Sequence, residues 1–510
     1  MSLTFYLDKG ASLAPAAPCL SLDGVSRSYA EVVELTHEVA RALRRSGVAP
    51  GDKVGVLSAN DATAFACVFG VARAGAVWCP INPRNAAGEN AELLDLFDCS
   101  TLIFQPAFDE LVGRIAPDLP KLTTLVRLGA GDDLALGFHA WLDEARNDPP
   151  AEADPPDDIV ALVGTGGTTG RPKAVMLTDR NLEAMSAITL MRYPFDGRPV
   201  YLAQAPLTHA AGVLCLPIFA SGGEVVVMVK PDVGRFLELI ERHRVTHTFL
   251  PPTLIYMVLG HPALEHADLS SLQCFWYGAA PMSVSRLTEA LERIGPMAQL
   301  FGQSEAPMMI STMSPAEHRL PDGTVHTRRL SSAGRPSPLV TVGILDEQGR
   351  PVPSGDRGEI CVRGSLVMAG YYGNPEATVE ASAGGWHHTG DIGFLDEEGF
   401  LHIVDRAKDM VITGGFNVYS AEVEQALMAH GAVRDCAVVG LPDEKWGERV
   451  AAVVQLQPDA TVDTDELIAF VKEQIGSVKA PKQIDVWPDL PRSTIGKVLK
   501  NEVRSTLAGG

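Results

Sequence analysis

Between two short apolar runs, Ile159–Val163 and Ala174–Thr178, the chain reads GTGGTTGRPK from Gly164 to Lys173. Runs of this kind read as strands, and so glycine-rich a connection reads as the turn between them. The turn offers backbone N–H groups, threonine hydroxyls and one lysine to an anion. Neither the P-loop NTPase spacing nor the dinucleotide fingerprint fits the order of its glycines. Elsewhere the same alternation of helices with short apolar strands recurs, which implies a layered α/β fold.

The local signals of that alternation are specific. Ser28 and Glu31 stand at capping-box spacing, and Val32, Leu35, Val39, Ala42 and Leu43 follow at helical intervals. Gly47 reads as the helix stop, and Lys53–Leu57 reads as a strand. Asn147–Asp158, NDPPAEADPPDD, is acidic and proline-rich and reads as a solvated linker between subdomains. A second break follows the strand Phe400–Val404, where Asp405–Asp409 (DRAKD) is a run of charges before the apolar Met410–Ile412. About a hundred residues remain after it, enough for a small α+β domain. Ala437–Val439, Val450–Leu456 and Gln483–Trp487 read as its strands. Thr464–Ile475 reads as an amphipathic helix with Leu467, Phe470, Val471 and Ile475 on one face.

A chain of 510 residues is too long for one core and divides into at least two domains. A formal charge of −21 argues against a general nucleic-acid binder, and any anionic ligand must be met by locally placed cations. The eight cysteines are scattered with no Cys-x-x-Cys pair, as expected of buried thiols in a reducing compartment. The opening MSLTFYLDKGASLAP has no signal-peptide pattern, and no apolar run reaches the length of a membrane span. A cytoplasmic protein without an integral membrane segment is therefore expected.

The Thr-Thr-Gly-x-Pro-Lys order of the glycine-rich turn resembles the phosphate-binding signature of the adenylate-forming superfamily. That superfamily holds acyl-CoA synthetases, adenylation domains of nonribosomal peptide synthetases and beetle luciferases. The resemblance runs from the Tyr29–Arg84 region to Lys497, with several motifs in the family's order. It implies a large N-terminal domain of layered α/β subdomains over residues 1–405, a hinge at 406–409 and a small mobile α+β domain over 410–510. In this likeness Thr165, Gly166, Gly167, Thr168, Thr169, Gly170 and Lys173 match the loop that cradles the β- and γ-phosphates of ATP. Gly166 stands where serine is common and Ala174 where glycine is common, but the threonine pair and the cation are kept.

Gly278, Ala279 and Ala280 resemble the segment bordering the adenine, and Phe301, Gly302, Gln303, Ser304 and Glu305 resemble the aromatic-Gly-x-Thr-Glu motif. The resemblance has the Phe301 ring packing on adenine, Ser304 meeting the α-phosphate, and Glu305 with Thr165 holding Mg²⁺. One or two carboxylates plus phosphate oxygens suit Mg²⁺. Asp391 matches the aspartate that accepts from the ribose hydroxyls, and Arg406 matches a second ribose contact. The adjacent His387 and His388 invite a metal reading, but neighbours on a strand face opposite ways, which favours structural roles.

Lys497 matches the C-terminal catalytic lysine, whose mobile charge would bridge acid and phosphate; Lys500, three residues on, reads as solvated. Lys408 occupies the hinge position. In the family the small domain rotates, so that a loop matching Gly414, Gly415 and Phe416 replaces the lysine and helps form the pantetheine tunnel.

His209 stands where amino-acid adenylation domains carry aspartate, and a histidine or aromatic there is typical of acyl- and aryl-CoA synthetases. Trp446, beside Gly447, lies in a context common among CoA ligases, and no carrier sequence follows Lys497, so transfer in cis is not expected. The implied catalytic set is Lys497, His209, Thr165 and Glu305. The acyl pocket is expected among Pro251–Met257, Trp276–Ala279 and Gln303–Met309, with His209, Trp276, Tyr277 and Met308 in its wall. No arginine occurs in those stretches to pair with a second carboxylate. The expected activity is therefore ATP- and Mg²⁺-dependent ligation of an apolar monocarboxylic acid (fatty, aromatic or alicyclic) to coenzyme A. Three other readings stay open: an adenylation enzyme loading a separate carrier protein, a luciferase-like oxidase, and a non-catalytic homologue acting as a binding module. The resemblance also leaves room for a homodimer.

Overall fold

The computed structural model describes residues 2–508 except 155, 166–171, 208, 209, 407, 408, 415, 444, 459 and 493–497. Its strands form four sheets. An eight-stranded sheet holds Lys53–Leu57, Ile159–Thr165 and Lys173–Thr178. A nine-stranded sheet holds Cys274–Gly278 and Met297–Phe301. A four-stranded sheet ends at Leu401–Arg406, and the strands from Val411 to Val486 make the fourth. The architecture is mixed α/β and α+β, as the sequence implies.

The first two sheets sandwich helices. Tyr29–Arg45 is built on the expected capping box, with Ser28 and Glu31 bonded reciprocally, and Gly47 ends it at a positive φ. Its buried Val32, Val39 and Leu43 join the largest core together with Phe65, Phe69 and Phe219. Those three rings pack edge-to-face at 5.5–5.6 Å along Phe69, and burying each contributes about 1.5–3 kcal/mol. Strands between such layers are covered on both faces. Val200–Ala203 and Glu224–Val227 are accordingly buried at every position and carry no polar alternation.

Most local expectations hold to within a few residues. Lys53–Leu57 and the helix Thr464–Ile475 have the expected bounds. The expected strands of the C-terminal part extend to Val433–Asp443 and Gly447–Leu456, and the last runs Gln483–Val486. The acidic segment Asn147–Asp158 differs. Strands on both sides of it belong to the eight-stranded sheet, so it is a connection within one sheet and does not separate subdomains. It is also pinned: Arg73, 6% exposed, pairs with Glu152 at 3.0 Å, and the Ala153 N–H donates to the Arg73 carbonyl. A buried guanidinium needs a partner, which draws an acidic run inward that composition marks as solvated.

Candidate active site

The strands on either side of the glycine-rich segment pair antiparallel and are in register at Thr165 and Lys173. Residues 166–170 lie outside the described residues, but both ends of the turn are in place. Lys173 sits 4.7 Å above the ring of Tyr371, whose hydroxyl donates to Glu305 Oε1 at 2.9 Å. One tyrosine thus ties the cation at the root of the hairpin to the carboxylate expected to bind Mg²⁺. Burial, reinforced by the Glu305 charge, pushes the Tyr371 hydroxyl well above its ordinary pKa, so it stays a donor. Tyr371 arrives through the two-residue strand Gly370–Tyr371, paired with Met176 and Val175. Sequence reading misses it; its only local signal is an aromatic pair after a glycine.

Glu305 has no Lys, Arg or His partner among the described residues, and the Met368 N–H holds its backbone carbonyl at 2.8 Å. A half-buried carboxylate held on one oxygen by a neutral donor, beside a phosphate-type turn, fits Mg²⁺, which keeps several ligands from water and phosphate.

The segment expected to border the adenine follows from two adjacent parallel strands, Cys274–Gly278 and Met297–Phe301, paired Gly278 to Leu300. The crevice beyond the carboxyl ends of parallel strands is where α/β sheets bind ligands. A Cβ on Gly278 would lie 2.4 Å from the Leu300 carbonyl oxygen, so only glycine fits there. Ala279 then adopts φ +69°, a conformation costly for a residue with a Cβ. The next strand ends in a tight reversal. A Cβ on Gly302 would meet Met308 N at 2.3 Å, Met308 itself has φ +61°, and Gln303 and Ala306 exchange backbone hydrogen bonds. This reversal turns Gln303 and Glu305 to opposite tasks.

Gln303 Nε2 donates to Asp391 Oδ2 at 2.7 Å and to the Thr389 carbonyl at 2.8 Å. Arg406 Nε holds the other oxygen, Asp391 Oδ1, at 2.7 Å. Asp391, 4% exposed, is therefore fixed in orientation, with both carboxylate oxygens held by neighbouring side chains. A β-bulge sets its aim. Two steps from Glu359 to Cys361 face four steps from Ile392 back to His388, and Gly390 takes φ +69° in the excess.

Strand alternation separates His387 from His388, as expected. His387 is buried toward Gln303, 3.4 Å from Oε1, and burial lowers its pKa. His388 Nδ1 faces Glu359 Oε2 at 2.7 Å and Cys361 Sγ at 3.5 Å on the adjoining strand. All eight cysteines are buried free thiols.

The expected acyl wall needs one correction. Trp276 and Tyr277 are consecutive strand residues on opposite faces of the nine-stranded sheet. Trp276 packs in the same core as Phe301 and Met308, whereas Tyr277 belongs to the core behind the sheet, its hydroxyl 3.0 Å from His318 Nε2. The two cannot line one pocket. Ser304 and Ala280 are half-buried at the same strand ends. Gly414 and Trp446 come together, the Gly414 N–H donating to the Trp446 carbonyl at 2.8 Å, but Trp446 and Phe416 are exposed. Lys500, expected in solvent, is half-buried against Ser420 and Glu424. His209, Lys408, Gly415 and Lys497 lie outside the described residues.

A large layered α/β body with strand-end nucleotide-type features, followed by a small α+β unit, is the architecture of the adenylate-forming enzymes. The AMP-binding enzyme profile matches residues 7–372 and the AMP-binding enzyme C-terminal domain profile matches residues 422–497. The chain is 37% identical over 503 residues to the medium/long-chain-fatty-acid–CoA ligase FadD8 of Mycobacterium tuberculosis, covering 96% of this chain and 87% of that one. It is 37% identical over 496 residues to a feruloyl-CoA synthase of Amycolatopsis sp, covering 97% and 96%. Among solved structures, the amide bond synthetase McbA of Marinactinospora thermotolerans superposes with a TM-score of 0.90 at 31% identity, covering 99% of both chains. The chain belongs to the AMP-binding enzyme family. None of its helices, among the described residues, is long and apolar enough to cross a membrane.

Proposed function

We propose that the protein is an ATP-dependent acid:CoA ligase acting on an apolar monocarboxylic acid. The observation that carries this reading is the convergence, from three different sheets, of Lys173, Glu305 and the doubly held Asp391. Asp391 orients the ribose, and Lys173 with the turn that precedes it takes the β- and γ-phosphates. Mg²⁺, held by Glu305 and Thr165, would neutralise phosphate charge. The acid's carboxylate attacks the α-phosphorus, the bond to the β-phosphate oxygen breaks, and pyrophosphate leaves. Lys497 balances charge in this step. The hinge at 406–409 then turns the small domain, Gly414, Gly415, Phe416 and Trp446 move toward the site, and the CoA thiolate attacks the acyl carbonyl and expels AMP. His209 gates the passage between acid and thiol. Exposure of Phe416 and Trp446 in this structure supports an adenylation-side orientation.

The apolar acid class rests on three stretches without arginine and on relatives named for fatty and feruloyl acids. Eight buried thiols fit a cytoplasmic setting. The test is AMP and pyrophosphate release over a panel of carboxylic acids, with CoA, an amine or no acceptor. Release that needs both an apolar acid and CoA supports the reading. Efficient turnover of malonate with weak turnover of apolar acids overturns the acid class. Adenylation indifferent to CoA overturns the acceptor and points to a separate carrier protein, and amine dependence points to amide synthesis.

A further inference from the structure

The strand Leu401–Arg406 ends in two neighbours that face opposite ways. Arg406 holds the Asp391 carboxylate. Asp405, 5% exposed, turns to the first residue of the helix Ser420–Met428, accepting from both the Ser420 N–H and, at 2.9 Å, its hydroxyl. Lys500 Nζ donates to Ser420 Oγ at 2.5 Å and to Glu424 Oε1 at 2.7 Å. Burial works against this ammonium, yet the Glu424 and Asp405 carboxylates hold its pKa above the ordinary lysine value. A half-buried ammonium paired with Glu424 and linked through Ser420 to Asp405 loses part of its hydration, so its stability depends on keeping that geometry.

Lys500 is also the first residue of the helix Lys500–Ala508, three positions after Lys497 in the chain. The described residues just before it are pinned to one another: the Leu499 N–H donates to the Pro491 carbonyl at 2.8 Å, and Arg492 bridges Val498. Arg492 pairs in turn with Asp435. Pro491, Arg492, Val498 and Leu499 are therefore held together, and Lys500, next in the chain, reaches Asp405 on the strand Leu401–Arg406 through Ser420.

We propose that Lys500 is a positioning residue for acyl-adenylate formation: through Ser420 and Glu424 it fixes the helix Lys500–Ala508, which begins three positions after Lys497 in the chain, against Asp405, the neighbour of Arg406. This rests on the proposed ligase reading, in which Lys497 and Asp391 act on the same nucleotide. Asp405 precedes the hinge and the other three residues follow it, so the latch opens when the small domain turns. Adenylation requires it; thioester formation does not.

The test compares full-length wild type, Lys500→Met, Lys500→Arg and the double variant Lys500→Met/Glu424→Leu, which removes the Lys500–Glu424 ion pair as a unit and leaves Asp405 held by Ser420, so that neither partner of the pair is stranded. Each is assayed for acid-dependent pyrophosphate exchange, for thioester formation from synthetic acyl-adenylate and CoA, and for thermal melting. Loss of register of about 1 Å lowers the adenylation kcat by roughly 100-fold. The acid KM and the thioester rate stay within about threefold, Lys500→Arg recovers most of the exchange, and the double variant melts like wild type yet keeps the defect. Equal loss in both half-reactions by the double variant, or wild-type exchange in Lys500→Met, overturns the positioning role. A wild type without exchange on any acid overturns the ligase reading instead, and the latch's role with it.

Discussion

Replacing Tyr371 by Phe isolates one atom of the site. The ring that carries Lys173 at 4.7 Å remains, and only the hydroxyl that reaches Glu305 Oε1 at 2.9 Å is lost. A hydrogen bond to a charged group contributes about 1.5–3 kcal/mol. Glu305 is only half-buried, so water recovers part of that, and the low end, about 1.5 kcal/mol, applies. At 1.4 kcal/mol per decade this lowers kcat/KM for ATP about tenfold. Tyr371→Leu also removes the ring beneath Lys173, a further ~0.5–1 kcal/mol at a partly exposed site, or roughly two- to fivefold more. Acid-dependent pyrophosphate exchange, titrated with ATP at fixed Mg²⁺ excess, reads both variants, and thioester formation from supplied acyl-adenylate serves as control. A Tyr371→Phe enzyme within twofold of wild type would falsify the coupling. So would a defect confined to the thioester step.

Gly302→Ala forces a methyl to within 2.3 Å of Met308 N and opens the reversal that aims Gln303 and Glu305, so adenylation should fall about 100-fold with the fold retained; unchanged exchange contradicts that role. Gly414→Ala strains a residue at φ +57° and drives a methyl against the Trp446 ring at 2.7 Å. It should slow acyl transfer to CoA more than adenylation, and the reverse order in a half-reaction assay counts against the assignment. His247 and His318 are driven by burial to pKa values of about 3 and about 4, far below the ordinary histidine value. Because the unfolded chain takes the protons that the folded one refuses, stability falls as pH drops below about 6.5, by up to ~1.4 kcal/mol per pH unit for each histidine. Urea midpoints between pH 5 and 7.5 measure the slope, and His318→Gln should flatten it; an unaltered slope rejects His318 as a source.

Signals confined to a few residues were legible without any structure. The capping box at Ser28 and Glu31, the strand Lys53–Leu57, the helix Thr464–Ile475 and the hairpin around Lys173 depend on periodicity and turn chemistry within one element. What joins those elements depends on register across the sheets. Tyr371 reaches Glu305 because Gly370–Tyr371 pairs with a strand nearly two hundred residues earlier in the chain. Asp391 owes its orientation to Gln303, to Arg406 and to a bulge opposite Glu359. Alternation also decided that Trp276 and Tyr277 part company, since neighbouring strand residues must face opposite layers. Charge patterning read Lys500 and the 147–158 segment as solvated, because local composition cannot weigh a distant carboxylate or guanidinium that lowers the cost of burial. Composition and motif order determined the class of chemistry. Only the packing of distant strands decided which atoms hold which.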